Sequence, residues 1–272
     1  MPSERTPTPA APSDKEPPID RSRLPVLWQF RISHYNEKAR WALDYKRIPH
    51  VRETVIPGLH VPRLMLLSRQ KQVPVLVADG QVTVGSAAII ERVERTHPDP
   101  PLFPREPSDR QRALELASFF DEELGPYIRR ALFYELLPDA GYCTAIFTHG
   151  SGAAMRALYR AGFPLVRTVM KLDMDIDEGS AADAVEKTLV ALERLDNLIQ
   201  PSGYLVGGAF SVADLTAAAL ISPVVQPPQF PYAFPQPNAG LTRLRKRLGH
   251  KRVREWCLSI YAKHRGTSAE AA

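Results

Sequence analysis

Three serines stand directly before segments that are predicted to be helices, and their hydroxyl groups are the first candidates for chemistry. Ser33, Ser86 and Ser211 each precede a run whose apolar residues recur at helical spacing. A hydroxyl in that position can cap the helix, and beside the positive end of the helix dipole it can also donate to an anion. For Ser211 we expect capping alone, because Asp214 three residues later completes a capping box. For Ser33 and Ser86 both roles stay open.

Other kinds of chemistry have no pattern in the sequence. The two cysteines, Cys143 and Cys257, exclude a disulfide framework and a four-cysteine zinc site. The seven histidines show no ligand spacing, so no metal site is predicted. The sequence also lacks a phosphate-binding loop, a dinucleotide-binding glycine motif, a Cys-x-x-Cys pair and a nucleophile elbow.

The elements that must position Ser33 and Ser86 lie in residues 23–97, which predict a small α+β domain. A short run of strand formers precedes the helix that follows Ser33, and a second such run follows that helix. An irregular basic stretch comes next. Asp79-Gly80 then separates two apolar runs and predicts a β-hairpin, after which a helix begins at Ser86. The expected order is strand, helix, strand, then strand, strand, helix.

The rest of the chain is predicted to be helical. Residues 98–107 have the proline content of an interdomain linker, and residues 108–265 carry helical periodicity without a convincing strand pair. Residues 1–22 are expected to be disordered, because the first twenty contain six prolines and no apolar run. Residues 266–272 are expected to be a flexible tail.

Charge and hydropathy exclude several partners. The net charge of +5 is too small and too dispersed to predict nucleic-acid binding, and the basic cluster between Arg243 and Arg254 reads better as a solvated helix face. The long uncharged stretch at residues 215–242 is interrupted by prolines, so no membrane span is predicted. The N-terminus has the features of neither a signal peptide nor a transit peptide. We therefore expect a cytoplasmic protein.

Four short segments resemble the glutathione transferase superfamily. They are SHYNEKAR at 33–40, QVPVL at 72–76, GSAAI at 85–89 and FSVAD at 210–214. The resemblance covers roughly residues 24–264 in the same order. It implies a thioredoxin-like βαβ-ββα domain, an all-helical C-terminal domain and commonly a homodimer, with glutathione as the co-substrate and no metal.

The resemblance also implies which residues would bind glutathione. Pro74 would be the cis-proline of the family, and its turn would leave the backbone N–H and C=O of Val73 free to pair with the cysteinyl part of the tripeptide. The hydroxyl and amides at Ser86 suit the γ-glutamyl carboxylate, and Gln72 could reach the glycyl carboxylate. Where the family often has Glu or Gln, this chain has Gly85, which weakens the expected hold on the γ-glutamyl ammonium group.

Ser33 occupies the position at which serine-type members of the family contact the glutathione thiol. A serine there favours conjugation over disulfide exchange. Asn36 shares a helix face with Ser33 and is either a second donor to the sulfur or an exposed polar residue of the first turn. Tyr35 is the rival donor, but it points about 200° away from Ser33 and lies on the apolar stripe, so we expect it to pack in the core.

These residues predict an enzyme that attacks a small, electrophilic, mostly apolar molecule with the thiolate of bound glutathione, as in detoxification. The alternative is a non-catalytic relative, a binding or interaction protein that kept the fold and lost conjugation. Gly85 and the proline-rich stretch at residues 223–237 favour that alternative. Ser33, Pro74 and Ser86 in register favour the enzyme.

Overall fold

The first half of the chain alternates strands and helices around a four-stranded sheet. The computed structural model describes residues 21–271, and its N-terminal elements follow a 3-10 turn at Arg21–Arg23. They are β1 (Val26–Gln29), α1 (His34–Tyr45), β2 (Val51–Thr54), α2 (Val61–Ser68), β3 (Val75–Ala78), β4 (Gln81–Val84) and α3 (Ser86–Thr96). The strand order is β2-β1-β3-β4, with β1 and β2 parallel and the other neighbours antiparallel. The predicted thioredoxin-like fold is confirmed.

The sheet buries side chains on both faces because strand residues alternate between them. On one face Leu27 and Leu76 pack against apolar residues of α1 and α3, and on the other Trp28 and Val75 pack against Leu64 of α2. The β3–β4 turn has positive φ at both central residues, 51° at Asp79 and 71° at Gly80. This conformation matches a type I′ turn, which confirms the predicted hairpin.

Helix α2 is a feature that the sequence prediction missed. The stretch expected to be irregular contains a two-turn helix with Pro62 in its first turn, where a missing N–H costs nothing. The helix packs through Leu64, which is fully buried, while Met65 and Leu66 remain exposed. One buried residue in two turns is too little periodicity to predict a helix.

The second half is helical, as predicted. Its elements are α4 (Pro107–Glu123), α5 (Gly125–Leu136), α6 (Ala140–Phe147), α7 (Ala153–Asp173), α8 (Glu178–Leu198), α9 (Val212–Val225), α10 (Ala239–Arg247) and α11 (Lys251–His264). The break between α4 and α5 falls where a side chain at Gly125 would collide with the hydroxyl of Tyr35. Within residues 21–271, no helix combines the length and apolar character needed to cross a membrane.

Helix α9 forms the centre of the helical domain. All of its residues from Val212 to Pro223 are buried, and it packs against α1 and α4. The predicted capping box at its start is confirmed: the Asp214 carboxylate accepts from the backbone N–H of Ser211 at 2.9 Å. It also accepts from Leu205 N at 2.8 Å. Burial raises the pKa of Asp214 to about 6.

A network of buried charges joins α1 to the C-terminal residues. Arg265 donates from Nε to Glu37 at 2.6 Å and from Nη1 to Asp44 at 2.8 Å, and Asp44 also accepts from Arg52 at 2.7 Å. All four side chains are almost entirely removed from solvent. Because buried charges must be paired, the C-terminal residues are fixed to the first domain.

The segment predicted to be a flexible C-terminal tail is held by hydrogen bonds up to Ala271. Ala269 N donates to Asp44 at 2.8 Å, and Ala271 N donates to the carbonyl oxygen of His50 at 2.9 Å. The bond to His50 belongs to a short parallel bridge between His50 and Glu270, next to the start of β2, which is an edge strand of the sheet. The flexible-tail prediction was wrong because composition does not reveal a nearby sheet edge. The predicted disordered segment, residues 1–22, lies outside the described residues except for Arg21 and Ser22.

Candidate functional site

Four chain segments meet at one edge of the sheet. β1 and β2 are parallel and both end there, and Val55 N donates to Gln29 O at 3.0 Å just beyond them. β3 begins at the same edge, because Val75 is paired with Trp28 of β1 and with Val84 of β4. The register therefore brings together the segment that enters α1, the segment before β3 and the start of α3.

The segment before β3 contains the predicted cis peptide bond, between Val73 and Pro74. Pro74 O accepts from Gly85 N at 2.9 Å, which ties this turn to the start of α3. Val73 lies outside both strand ladders, which begin at Val75. Its N–H and C=O are therefore placed like a short extension of the sheet edge, the arrangement that an added peptide strand would use.

Ser33 is the N-cap of α1, with extended backbone angles of −73° and 128°. Its Oγ accepts one long hydrogen bond, 3.4 Å, from Asn36 N. The side chain is half-buried. The hydroxyl proton is therefore available to an acceptor placed at the start of the helix, where the free amides add positive potential.

Asn36 is buried rather than exposed, so the alternative of an exposed first-turn residue is wrong. Neither its amide oxygen nor its amide nitrogen has a hydrogen-bond partner within residues 21–271. An unpaired buried amide costs about 1–3 kcal/mol of stability. A polar group left unpaired beside Ser33 is consistent with a contact to a bound molecule.

Ser86 is the first residue of α3 and not its cap. The N-cap is Gly85, with φ of 87° and ψ of 146°, and no side chain accepts a bond from the first turn. Of the two roles left open for Ser86, helix capping by its hydroxyl is therefore excluded. Glycine is favoured at the N-cap position because the backbone leaves β4 with a positive φ there. The Ser86 side chain is buried, and the first-turn amides of α3 lack a side-chain acceptor.

Gln72 is exposed, and a neighbouring glutamine fixes its backbone. Gln70 Nε2 donates to Gln72 O at 2.8 Å, while Gln72 N donates to Gln70 Oε1. Lys71, the residue before Gln72, forms an ion pair with Asp173 at the end of α7. The Gln72 side chain forms no hydrogen bond with another residue of the described part of the chain, residues 21–271.

His60 links the loop before α2 to the segment before β3, a role that the sequence analysis did not identify. Its Nδ1 accepts from Gly58 N at 3.1 Å, so its Nε2 carries the proton and donates to Lys71 O at 3.0 Å. The ring also meets Phe30 edge to face at 4.9 Å. A lone histidine after a proline and a glycine gives no sequence signal for such a role.

Tyr35 packs at the domain interface, as predicted. Its hydroxyl donates to Asp121 O at 2.8 Å, and burial raises its pKa far above the usual value. Because its one hydroxyl proton is donated to Asp121 O, Tyr35 has none to offer to a thiol at the start of α1. Tyr127 of α5 lies beside Lys187 of α8, whose Nζ is 4.7 Å from the ring centroid.

The potential at the start of α1 is positive. Burial, together with the nearby charges of Arg129 and Lys38, lowers the pKa of His34 to about 3. Lys38 is neutralised by Asp121 at 2.5 Å, but the Nε of Arg129 has no partner within the described residues. Burial accounts for most of this shift, but the positive charge of Arg129, which also contributes to it, would favour an anion next to Ser33.

Comparison with known proteins agrees with this geometry. The N-terminal domain of glutathione S-transferase matches residues 27–101, and the C-terminal domain of glutathione S-transferase matches residues 157–250. FtsZ-localized protein A of Caulobacter vibrioides is 26% identical over 201 residues, which are 72% of this chain and 75% of that protein. A probable maleylacetoacetate isomerase of Caenorhabditis elegans is 37% identical over 94 residues, and the match spans only 44% of that protein.

A solved structure shows the same fold over most of the chain. The crystal structure of a glutathione S-transferase from Rhodospirillum rubrum superposes with a TM-score of 0.60 at 19% identity, covering 89% of this chain and 90% of that one. The two matching domains together account for more than half of the chain and contain the candidate site. The protein belongs to the glutathione transferase superfamily.

Proposed function

We propose that this protein binds glutathione and transfers its thiolate to a small electrophile. The observation that supports this function is the meeting of Ser33, Val73 and Ser86 at one sheet edge, each with hydrogen-bonding groups that the fold leaves unused. Family membership makes glutathione the expected ligand. Pro74 fixes the turn that presents Val73, and Ser86 with the α3 amides would hold a carboxylate.

The chemical step depends on the ionisation of the thiol. A thiol with a pKa near 8.5 is mostly protonated at neutral pH, whereas the thiolate is the nucleophile. Lowering that pKa by about two units takes roughly 2.7 kcal/mol of preferential thiolate stabilisation. The Ser33 hydroxyl can supply about 1.5–3 kcal/mol as a charge-assisted hydrogen bond, and the dipole of α1 adds to it. The unpaired side-chain amide of Asn36 would add a second donor.

In the reaction the sulfur electron pair forms a bond to the electrophilic carbon of the acceptor. Either a leaving group departs with its bonding electrons, or the acceptor takes up a proton at the adjacent atom. Ser33 keeps its own proton throughout, because it acts as a hydrogen-bond donor to the sulfur and not as a base.

Binding of glutathione is tested by titration calorimetry and thermal shift. A ligand at about 100 times its dissociation constant stabilises the folded protein by roughly 2.7 kcal/mol. Ser86→Ala should weaken binding about tenfold or more, because one hydrogen bond to a carboxylate is lost. Ser118→Ala, at an exposed position on α4, is the matched control and should bind like the parent. No shift of the parent at millimolar glutathione would contradict the proposal.

A second candidate is an interaction protein without conjugating activity. The relative named FtsZ-localized protein A matches 72% of this chain, whereas the isomerase match covers 34% of it. Gly85 in place of the family's acidic or amide residue also favours this candidate. Co-sedimentation with polymerised FtsZ separates the two: binding to the polymer without any glutathione shift would support the interaction protein, and a glutathione shift without co-sedimentation would support the enzyme.

We also propose a reducing, cytoplasmic location and a homodimeric state. Both cysteines are free and buried, and burial raises the pKa of Cys143 to about 12, so neither thiol is poised for disulfide formation. Fractionation of cells and light scattering of the purified protein test these two statements directly.

A further inference from the structure

Two arginine side chains next to the candidate site lack the partners that similar groups have elsewhere. Arg31 and Arg129 are half-buried, and neither forms a hydrogen bond or an ion pair within residues 21–271. In that part of the chain, every other arginine or lysine side chain that is not exposed donates to a carboxylate or a carbonyl oxygen; these are Lys38, Arg40, Lys46, Arg52, Arg92, Arg130, Arg245 and Arg265. A partly desolvated charge without a partner is costly, so these two guanidiniums would gain from an acceptor supplied by a ligand.

Both guanidiniums border the start of α1. Arg31 lies in the loop between β1 and α1, and because two residues span at most about 7 Å, its backbone is close to Ser33. Arg129 belongs to α5 of the helical domain. Burial and, to a smaller extent, the charge of Arg129 lower the pKa of His34, the residue after Ser33, so this guanidinium acts on the same helix end. An anion at the start of α1 would therefore meet one guanidinium from each domain.

Aromatic rings hold the two guanidiniums without using their N–H groups. The guanidinium carbon of Arg31 is 4.2 Å from the ring centroid of Tyr232, and that of Arg129 is 5.9 Å from the ring centroid of Tyr35. The Tyr232 side chain is itself fixed, since Gln29 Nε2 donates to its hydroxyl at 2.7 Å. A guanidinium over a ring face keeps its charge, and its donors remain available at its edge. The two arginines are thus preorganised to donate to an oxyanion.

The carboxylates of glutathione have other partners in the proposed complex. The γ-glutamyl carboxylate is assigned to Ser86 and the amides of α3, and the glycyl carboxylate is expected at Gln72. The thiolate offers one acceptor atom, whereas the planar fork of a guanidinium matches the two oxygens of a carboxylate. The remaining reactant is the electrophile, which must approach the sulfur beside Ser33.

We propose that the electrophile carries a carboxylate group, which Arg31 and Arg129 bind while the thiolate attacks. This inference rests on the proposed glutathione transfer and adds the chemical class of the second substrate. The two arginines take no part in forming or breaking bonds. They determine specificity, because they favour an anionic acceptor over a neutral one of the same shape.

The test compares two chemically prepared products that differ in one group. S-(4-carboxy-2-nitrophenyl)glutathione carries a carboxylate on its ring, and S-(4-carbamoyl-2-nitrophenyl)glutathione carries a neutral amide of similar size there. In titration calorimetry the parent should bind the carboxylate conjugate with a dissociation constant about tenfold lower or more, because charge-assisted hydrogen bonds are gained. Arg31→Gln and Arg129→Gln should each reduce this preference, and the double variant should abolish it. Affinity for the amide conjugate and for glutathione itself should change little.

Arg194→Gln is the matched control. The Arg194 guanidinium on α8 also lies over a ring, 3.7 Å from the centroid of Phe119, but it is exposed and does not border α1. This variant should bind both conjugates like the parent. Circular dichroism should show the same folded signal for all variants.

Three outcomes would overturn the proposal. Equal affinity of the parent for the two conjugates would remove the carboxylate preference, while binding of glutathione would leave the proposed function intact. An equal loss of affinity for unconjugated glutathione in the arginine variants would mean that the arginines hold the tripeptide instead. A parent that binds neither glutathione nor either conjugate would contradict the proposed function as well.

Discussion

At the residue scale, the chemistry of the site depends on which groups the fold leaves unpaired. The Ser33 hydroxyl accepts only one long hydrogen bond, from the backbone N–H of Asn36. The side-chain amide of Asn36 has no partner in residues 21–271. Ser86 is freed from capping because Gly85 takes that position. A ligand that engages these groups gains hydrogen bonds without breaking existing ones, which makes binding at this edge favourable.

His34 gives the protein a pH-dependent stability. Its pKa falls from 6.5 to about 3 on folding, so the unfolded chain takes up the proton first as the pH drops. The stability that neutral His34 contributes is complete above about pH 6.5 and is lost as the pH falls towards 3. Between pH 7 and pH 5, His34→Gln should therefore lose about 2 kcal/mol less stability than the parent.

Urea unfolding at both pH values measures this difference. His50, whose pKa burial lowers to about 4, and Asp214 remain in the variant and the parent and so cancel in the comparison. The matched control is His149→Gln, which replaces an exposed histidine and should keep the parent's pH dependence. Equal slopes for His34→Gln and the parent would show that His34 is not held neutral by its surroundings.

Gly85 should resist substitution although there is space for a side chain. No atom lies within 4 Å of the place where its Cβ would be, but φ is 87° and ψ is 146°, a conformation that is nearly exclusive to glycine. We expect Gly85→Ala to lower the free energy of unfolding by about 1–3 kcal/mol. Gly208→Ala, equally open but without positive φ, should change it by less than about 1 kcal/mol in thermal or urea unfolding. Equal effects of the two would refute the conformational explanation.

At the element scale, α1 joins the site to the rest of the molecule. Its first turn presents Ser33 and Asn36, while Glu37 and Asp44 on the same helix are paired with Arg265 at the end of α11. The helix is thus positioned by contacts on both sides, which limits its freedom to move when a ligand binds.

Removing the positive charge of Arg265 should therefore be costly. Arg265→Met leaves two buried carboxylates with fewer partners, and breaking a buried pair in this way typically costs about 3–5 kcal/mol. Arg105→Met removes an exposed pair with Asp99 and should cost less than about 1 kcal/mol. Urea unfolding of both variants gives the comparison, and a similar small loss for both would mean that the network does not stabilise the α1 contact.

The elements that the sequence predicted correctly are those with a local signal. Alternating apolar runs around Asp79-Gly80 predicted the hairpin, and the Ser211 capping box predicted the start of α9. Helix α2 was missed because only Leu64 is buried, and its apolar pattern is too short. The break between α4 and α5 depends on the position of Tyr35, a contact between distant parts of the chain that periodicity cannot show.

The candidate site was predicted partly from residue patterns and partly from the resemblance to a family. Composition and spacing left Ser33 and Ser86 as helix caps or anion donors, and the resemblance to a family supplied the roles proposed for Val73 and Pro74. The sequence could not show that Asn36 is buried or that His60 holds the loop before β3, because both depend on contacts across the sheet edge. It also could not place Lys71 in an ion pair with α7.

At the scale of the whole molecule, the two halves share one core region through α1 and α9. Trp41 of α1 is fully buried and stacks with Phe210 at a centroid distance of 5.7 Å, and its indole N–H donates to His264 O at 3.0 Å. We therefore expect the halves to unfold together in one cooperative transition.

Residues 1–22 should contribute nothing to this transition. Their proline-rich composition offers no apolar anchor, so deletion should leave the melting temperature and glutathione binding unchanged. Differential scanning fluorimetry of the truncated and full chains checks this expectation. A loss of more than a few degrees would show that the segment packs against the folded part.

The central statement is that Ser33 stabilises the thiolate of bound glutathione. Ultraviolet absorbance of the thiolate, followed against pH in the complex, gives its pKa directly. We expect a pKa about two units below the usual 8.5 in the parent, and a rise of about one to two units in Ser33→Ala, because one charge-assisted hydrogen bond is removed. Ser33→Thr keeps a hydroxyl and should retain most of the lowering, and glutathione affinity should change little in either variant. An unchanged thiol pKa in Ser33→Ala would contradict the account and leave Ser33 as a helix cap.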